Sequence, residues 1–150
     1  MAEVITADLV DLDLEAGDRH EATRKLAERL VAAGRVTDLD GFLADVRARE
    51  AQMPTGIEGG IGIPHARSAH VAEPTLGFGR SDVGVDFGAD DGPAHLIFLI
   101  AAPAGGGAEH MTILASLARR LVHASFREAL LEAPDQQAVV DLVHKEVLGR

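Results

Sequence analysis

The chain has 150 residues, no cysteine and a formal net charge of −10 with only two lysines. That charge balance lacks the basic face a phosphate-backbone binder needs, so no nucleic acid is expected as a partner. Zero cysteine excludes a disulfide framework, a thiolate zinc site and a cysteine nucleophile.

One domain over residues 1–150 is the expectation for this length. The longest strongly apolar run, Leu96 to Ala102, is far short of the about 20 residues a membrane helix requires. Met1-Ala2-Glu3-Val4 lacks the positive region and apolar stretch of a secretory signal, so a cytoplasmic protein is expected. The five aromatic residues are all Phe, which makes the core aliphatic.

In chain order, Leu9 to Leu14 alternates after Val10 and predicts a half-buried strand. Asp18 followed by Glu21 has capping-box spacing, with Ala22, Leu26, Leu30 and Ala33 on one face and Gly34 as the stop. A second helix is predicted from Thr37 through Arg49-Glu50, with Leu39, Phe42, Leu43 and Val46 inside. The stretch from Pro54 to Gly62 is a glycine-rich loop ending in Ile63-Pro64-His65. Strands are predicted at Leu76–Arg80, Val83–Phe87 and Ala94–Ala101, the last so continuously apolar that both its faces should be covered. Gly105-Gly106-Gly107 leads into a helix with Leu114, Leu117, Ala118 and Leu121 on one stripe, and helices at 125–133 and 135–148 are separated by Pro134. The implied fold class is α/β, a single-domain mixed β-sheet flanked by helices on both faces.

Neither glycine cluster is followed by Lys, so neither is a P-loop, and Gly60-Ile61-Gly62 meets His65 where a dinucleotide fingerprint needs its third glycine. None of the seven histidines has the spacing of a zinc-ligand pair, so no metal is expected. His65 ends an Ile-Gly-Ile-Pro run in which Pro64 stiffens the backbone. Beside glycines that expose N–H groups it is arranged like a nucleophile next to an anion cradle, or else it is a turn histidine bonded to the backbone. His110 falls in the first turn of the helix after the triple glycine, where free N–H groups suit a phosphoryl or carboxylate group; its bland alternative is a surface histidine. Arg49, near the end of its helix, can clamp phosphate oxygens or merely complement the helix dipole. Arg47, Arg119 and Arg120 read as solvated helix faces.

The stretch Thr55-Gly56-Ile57-Glu58-Gly59-Gly60-Ile61-Gly62-Ile63-Pro64-His65-Ala66 resembles the active-site segment of enzyme IIA domains of the bacterial sugar phosphotransferase system (PTS), mannitol–fructose type. Arg49-Glu50 occupies the place of that family's Arg-Glu pair. Gly79-Arg80-Ser81, Asp86-Phe87-Gly88, the run His95 to Pro103 and Glu109-His110-Met111 look like its fructose-specific branch. Gly59 and Gly62 stand where the family usually has Asn and Ala, and Pro54 where Ser or Thr is common.

The resemblance implies a phosphocarrier with no cofactor. His65 would accept a phosphoryl group from the carrier protein HPr and pass it to a fructose-type enzyme IIB, and so toward the membrane enzyme IIC. His110 and Arg49 would be the second histidine and the arginine of the site, with Thr55, Gly56, Gly59 and Gly60 in a phosphoryl-binding loop. The chemistry agrees: histidine titrates just below neutral pH, so a neutral imidazole nucleophile is available. Phosphoryl transfer is mostly positioning plus stabilised charge on the equatorial oxygens. The acidic charge suits steering toward a partner with a basic face. A regulatory, nitrogen-type enzyme IIA paralogue is the alternative. More distant ones are a hydrolase or isomerase using His65 as general base with Asp86 or Glu58, and a non-catalytic interaction module. The sugar (fructose, or mannitol or a related polyol) and the oligomeric state are not legible in these residues.

Overall fold

A computed structural model describes residues 3–105 and 109–149, with Glu109 and His110 described through their backbone. A 3₁₀ turn at Ala7–Leu9 leads into β1 (Val10–Asp11), followed by α1 (Arg19–Ala32) and α2 (Leu39–Gln52). Four strands in the middle, β2 (Gly56–Ile57), β3 (Ile61–Gly62), β4 (His65–Ser68) and β5 (Thr75–Val85), precede β6 (Ala94–Pro103). The chain closes with α3 (Glu109–Leu121), α4 (Ala124–Glu132) and α5 (Gln136–Glu146).

The strands form one mixed six-stranded sheet in the order β1-β5-β6-β3-β2, with β4 also paired to β6. β5 and β6 run antiparallel, with Phe78 opposite Phe98 and their rings 4.9 Å apart, a contact worth about 0.5–1.5 kcal/mol beyond its area. β3 and β4 both lie parallel to β6, at Leu96–Ile97 and Ile100–Pro103 respectively. They are two pieces of one line along that edge, interrupted at Ile63-Pro64.

The period of two along β6 divides the core. Leu96, Phe98 and Ile100 join the cluster made with Leu117, Leu121, Phe126, Leu130, Val139 and Val143 from α3, α4 and α5. Ile97, Leu99 and Ala101 join the cluster made with Leu26, Leu30, Phe42 and Val46 from α1 and α2. The sheet is therefore covered by helices on both faces, as the unbroken apolar run predicted. β5 carries Gly77 and Gly79 toward α1, where an added methyl would meet Leu30 at 3.1 Å and Leu26 at 3.2 Å. The missing side chains let the helix lie close.

The helix ends follow local chemistry. Asp18 accepts the N–H of Glu21 at 2.8 Å, while the Glu21 carboxylate reaches back to the N–H of Gly17 rather than of Asp18 itself. Gly34, at φ +76°, stops α1 in a Schellman arrangement, with Arg35 N–H on Leu30 O and Gly34 N–H on Val31 O. α2 starts two residues later than predicted because Asp38 caps it through Gly41 N–H. Asp135 caps α5 through Ala138 N–H.

Two expectations for the strands change. Leu9 to Leu14 is not one strand: Asp13 N–H turns back onto the Asp11 carboxylate, leaving two residues in β1. Leu14 N–H then bonds Arg80 O. The predicted strands at 76–80 and 83–87 are one strand, β5, with a register shift between Arg80 and Val85. Gly84, at φ +92°, donates its N–H to Ser81 Oγ there and absorbs the irregularity. Phe87 falls beyond the strand and receives Gly56 N–H on its carbonyl.

Candidate active site

His65 is the first residue of β4, directly after the proline. Pro64 has no N–H to give the ladder, but its carbonyl accepts from Ile100 N–H at 3.0 Å and carries the pairing across the break. His65 lies opposite Ile100 and is half-buried. Its Nδ1 is 2.8 Å from the carbonyl oxygen of Ile63. A carbonyl only accepts, so this bond places the proton on Nδ1, and the lone pair of the neutral ring is on Nε2.

The histidine opens onto a cleft of about 460 Å³ walled by Asp45, Arg49 and Gln52 of α2, Arg67 of β4, Ile100 of β6, and Met111 and Leu114 of α3. Arg49 is in the last turn of α2, and its Nη1 donates to Met53 O at 3.2 Å. That leaves most of the five guanidinium donors for other acceptors. Two residues far apart in sequence, His65 and Arg49, therefore share one cavity. Asp45 is held in the same wall by the Ser68 hydroxyl at 2.6 Å, and Met111, 54% exposed, forms an apolar rim. The backbone of His110 lies at the start of α3. Its side chain, and Gly106 and Gly107 of the triple glycine, lie outside the described residues.

The glycine loop has a different use from the one expected. None of Thr55, Gly56, Gly59 and Gly60 is in the cleft wall. Thr55 gives both N–H and hydroxyl to the buried carboxylate of Glu50, at 2.8 and 2.6 Å. Gly56 N–H goes to Phe87 O and Gly59 N–H to the Asp91 carboxylate. Gly60 O accepts from His95 and Leu96 N–H. Gly59 and Gly60 adopt φ of +101° and +77°, which lets three residues close the β2–β3 hairpin with Ile57 opposite Ile61. The loop builds the edge on which His65 sits, and the N–H groups of Thr55, Gly56 and Gly59 are already bonded.

Sequence reasoning missed Glu50 as a junction. Its carboxylate also takes Arg19 Nη1 at 3.1 Å, a partner 31 positions away that no local spacing reveals. It also missed Arg67 and Asp45. Asp86 and Glu58, weighed as base partners for His65, are absent from the cleft wall; Asp86 faces Gly88 N–H and Arg19. Arg119 and Arg120 bond Ser116 Oγ and Glu146 O on their own side of the sheet, as solvated helix faces do. His95 Nδ1 bonds Ser81 O at 2.8 Å, His70 lies 3.9 Å from Asp38 and His144 3.5 Å from Glu3. Among the described residues no group of three or more His, Cys, Asp or Glu side chains gathers to hold a metal ion, and no helix is long and apolar enough to cross a membrane.

Residues 3–146 match the family described as phosphoenolpyruvate-dependent sugar phosphotransferase system, EIIA 2. The chain belongs to this family. It is 41% identical over 148 residues to the PTS system fructose-specific EIIA component of Haloferax volcanii, covering 98% of this chain and 96% of that one. The EIIA fold is matched by the nitrogen regulatory protein IIA-Ntr of Neisseria meningitidis, with a TM-score of 0.85, 28% identity and 93% and 96% of the two chains covered. It is matched also by the complex of enzyme IIAMTL and phosphorylated enzyme IIBMTL from Escherichia coli, with a TM-score of 0.77, 27% identity and coverage of 97% and 98%. A mixed sheet between two helical layers is thus the architecture of this EIIA protein and of its solved relatives, and phosphotransferase-system chemistry is its setting.

Proposed function

We propose that this EIIA protein is a phosphocarrier in which Nε2 of His65 takes a phosphoryl group from phospho-HPr and passes it to a fructose-type enzyme IIB. The observation that carries the reading is the 2.8 Å bond from His65 Nδ1–H to Ile63 O at the edge of a cleft shared with Arg49. As the Nε2 lone pair forms the new P–N bond, the donor's P–N bond breaks and its electron pair returns to the donor imidazole. The His65 ring becomes electron-poor, so its Nδ1–H is a stronger donor and the Ile63 carbonyl holds it more tightly in the transition state than before. Arg49 meets the charge on the transferring oxygens, and His110, in the first turn of α3, is proposed as a further donor. A site with few fixed cations releases the group as readily as it takes it. The next step, to a cysteine of enzyme IIB and on to sugar with the membrane enzyme IIC, needs a cysteine from another polypeptide or domain, since these 150 residues contain none.

The test is direct. Incubated with phosphoenolpyruvate, enzyme I and HPr, the purified chain acquires an acid-labile phosphoryl group, and His65→Ala acquires none. An unlabelled wild type, or a labelled His65→Ala, removes the reading. The regulatory, nitrogen-type reading keeps the same first step and is supported by the fold similarity to IIA-Ntr. Sugar transport is favoured because the 41% identical relative is named fructose-specific. Transfer onward to a fructose enzyme IIB separates the two.

A further inference from the structure

The carboxylate of Glu50 is 7% exposed, and burying a charge is costly unless its oxygens are met. Here they are met by an arginine and a single threonine. Oε2 accepts Arg19 Nη1 at 3.1 Å and Thr55 N–H at 2.8 Å, and Oε1 accepts the Thr55 hydroxyl at 2.6 Å. With both donors of Thr55 fixed, its carbonyl is fixed too, and it receives Ile63 N–H at 3.2 Å. Ile63 precedes Pro64, which confines it to extended backbone. Holding its N–H therefore sets the direction of its carbonyl, and that carbonyl takes the Nδ1–H of His65.

We infer that Glu50 is a positioning residue for the nucleophile: through Thr55 and Ile63 its carboxylate holds the His65 imidazole in the tautomer with the proton on Nδ1 and the lone pair on Nε2. Arg49 and Glu50, adjacent at the end of α2, then divide the work. Arg49 faces the cleft, and Glu50 faces inward and sets the ring. The inference rests on the reading of His65 as phosphoryl acceptor for its consequence, but the tautomer itself is a property of the unphosphorylated protein.

It is tested by the ¹⁵N resonances of the His65 ring at a pH where the imidazole is neutral. The wild type is expected to be protonated at Nδ1. Glu50→Gln, which cannot serve all three donors, is expected to give a mixture of tautomers. Its phosphorylation by phospho-HPr is expected to slow about tenfold or more, as for lost supporting groups elsewhere, in kcat rather than KM. Thr55→Val keeps the N–H bond and loses the hydroxyl, so a smaller shift in the same direction is expected, and it carries the test if Glu50→Gln does not fold. A wild type protonated at Nε2, or an unchanged tautomer in whichever variant folds, overturns the inference even if transfer slows. A tautomer shift in a protein that HPr never labels would leave the positioning intact and remove the phosphocarrier reading instead.

Discussion

The ring of Phe87 lies where a side chain on Gly62 would begin: a methyl built on Gly62 falls 2.7 Å from both Cγ and Cδ2 of that ring. Phe87 is 1% exposed and carries the Arg19 guanidinium 6.0 Å from its centroid, so the ring has little room to withdraw. Gly62→Ala is expected to lose about 1–3 kcal/mol by overpacking, read as a lower urea midpoint. In a Phe87→Leu background the same change is expected to cost much less. Additive losses in the double variant would show that the two residues do not compete for one space.

Arg80 links the sheet to the far helical layer. Its Nη1 lies 3.1, 3.0 and 3.0 Å from the carbonyls of Leu130, Leu131 and Ala133, at the end of α4, where the last carbonyls have no helical partner. Arg80→Met keeps the aliphatic stem and removes the donors. A loss of about 2 kcal/mol is expected, the usual value for hydrogen bonds from a charged group, seen in thermal or urea unfolding. Stability equal to wild type would mean that water serves those carbonyls as well.

Arg49→Ala is expected to slow phosphoryl arrival at His65 by about tenfold or more, equal to about 1.4 kcal/mol of transition-state stabilisation, with unfolding unchanged. Arg49→Lys recovers part of this, because an ammonium supplies charge without the planar fork. His110→Ala is expected to slow the same step. Single-turnover rates from phospho-HPr decide, and a wild-type rate in either alanine variant removes that residue from the site.

Acid weakens the start of α1 in a definite direction. The Asp18 carboxyl is held below its ordinary range, first by the N–H of Glu21, with desolvation opposing it next and His20 and Arg47 adding lesser lowering effects. A carboxyl whose folded pKa is depressed contributes stability that is fully present above its unfolded value of about 3.9 and is lost as pH falls through the folded value. Asp18→Asn keeps a capping oxygen without the charge. The gap in urea midpoint between wild type and Asp18→Asn should therefore be widest near pH 6 and close at pH below the folded value. A gap independent of pH would deny the carboxylate this role.

Strong local signals in the sequence survive into the structure, while signals that depend on distant partners do not. Leu96 to Ala102 reads as a strand covered on both faces because its apolar run has no polar interruption, and Leu96 and Ile97 do face opposite clusters. Asp18 and Gly34 mark the ends of α1 because capping is decided within a few residues. The single strand β5 reads as two because Ser81, Asp82 and Gly84 look like a turn, and only its pairing with β6 shows that the strand continues past them. At the site, Pro64-His65 is legible from its stiffened backbone. The function of Thr55 is not, since its donors face Glu50, and the side chain that fixes Glu50 from the other side, Arg19, lies a whole helix away.

His65 owes its register to Ile100, a residue synthesised only after β5 has been made. When β5 has been made, the Ile-Pro-His-Ala segment exists but has no strand to lie along, because its parallel neighbour β6 does not yet exist. The cleft needs more still, since Met111 and Leu114 form its α3 wall. A nascent or truncated chain ending before α3 thus contains the histidine without its pocket. Under the proposed function, phosphoryl acceptance at His65 therefore requires that β6 and α3 have been made and packed.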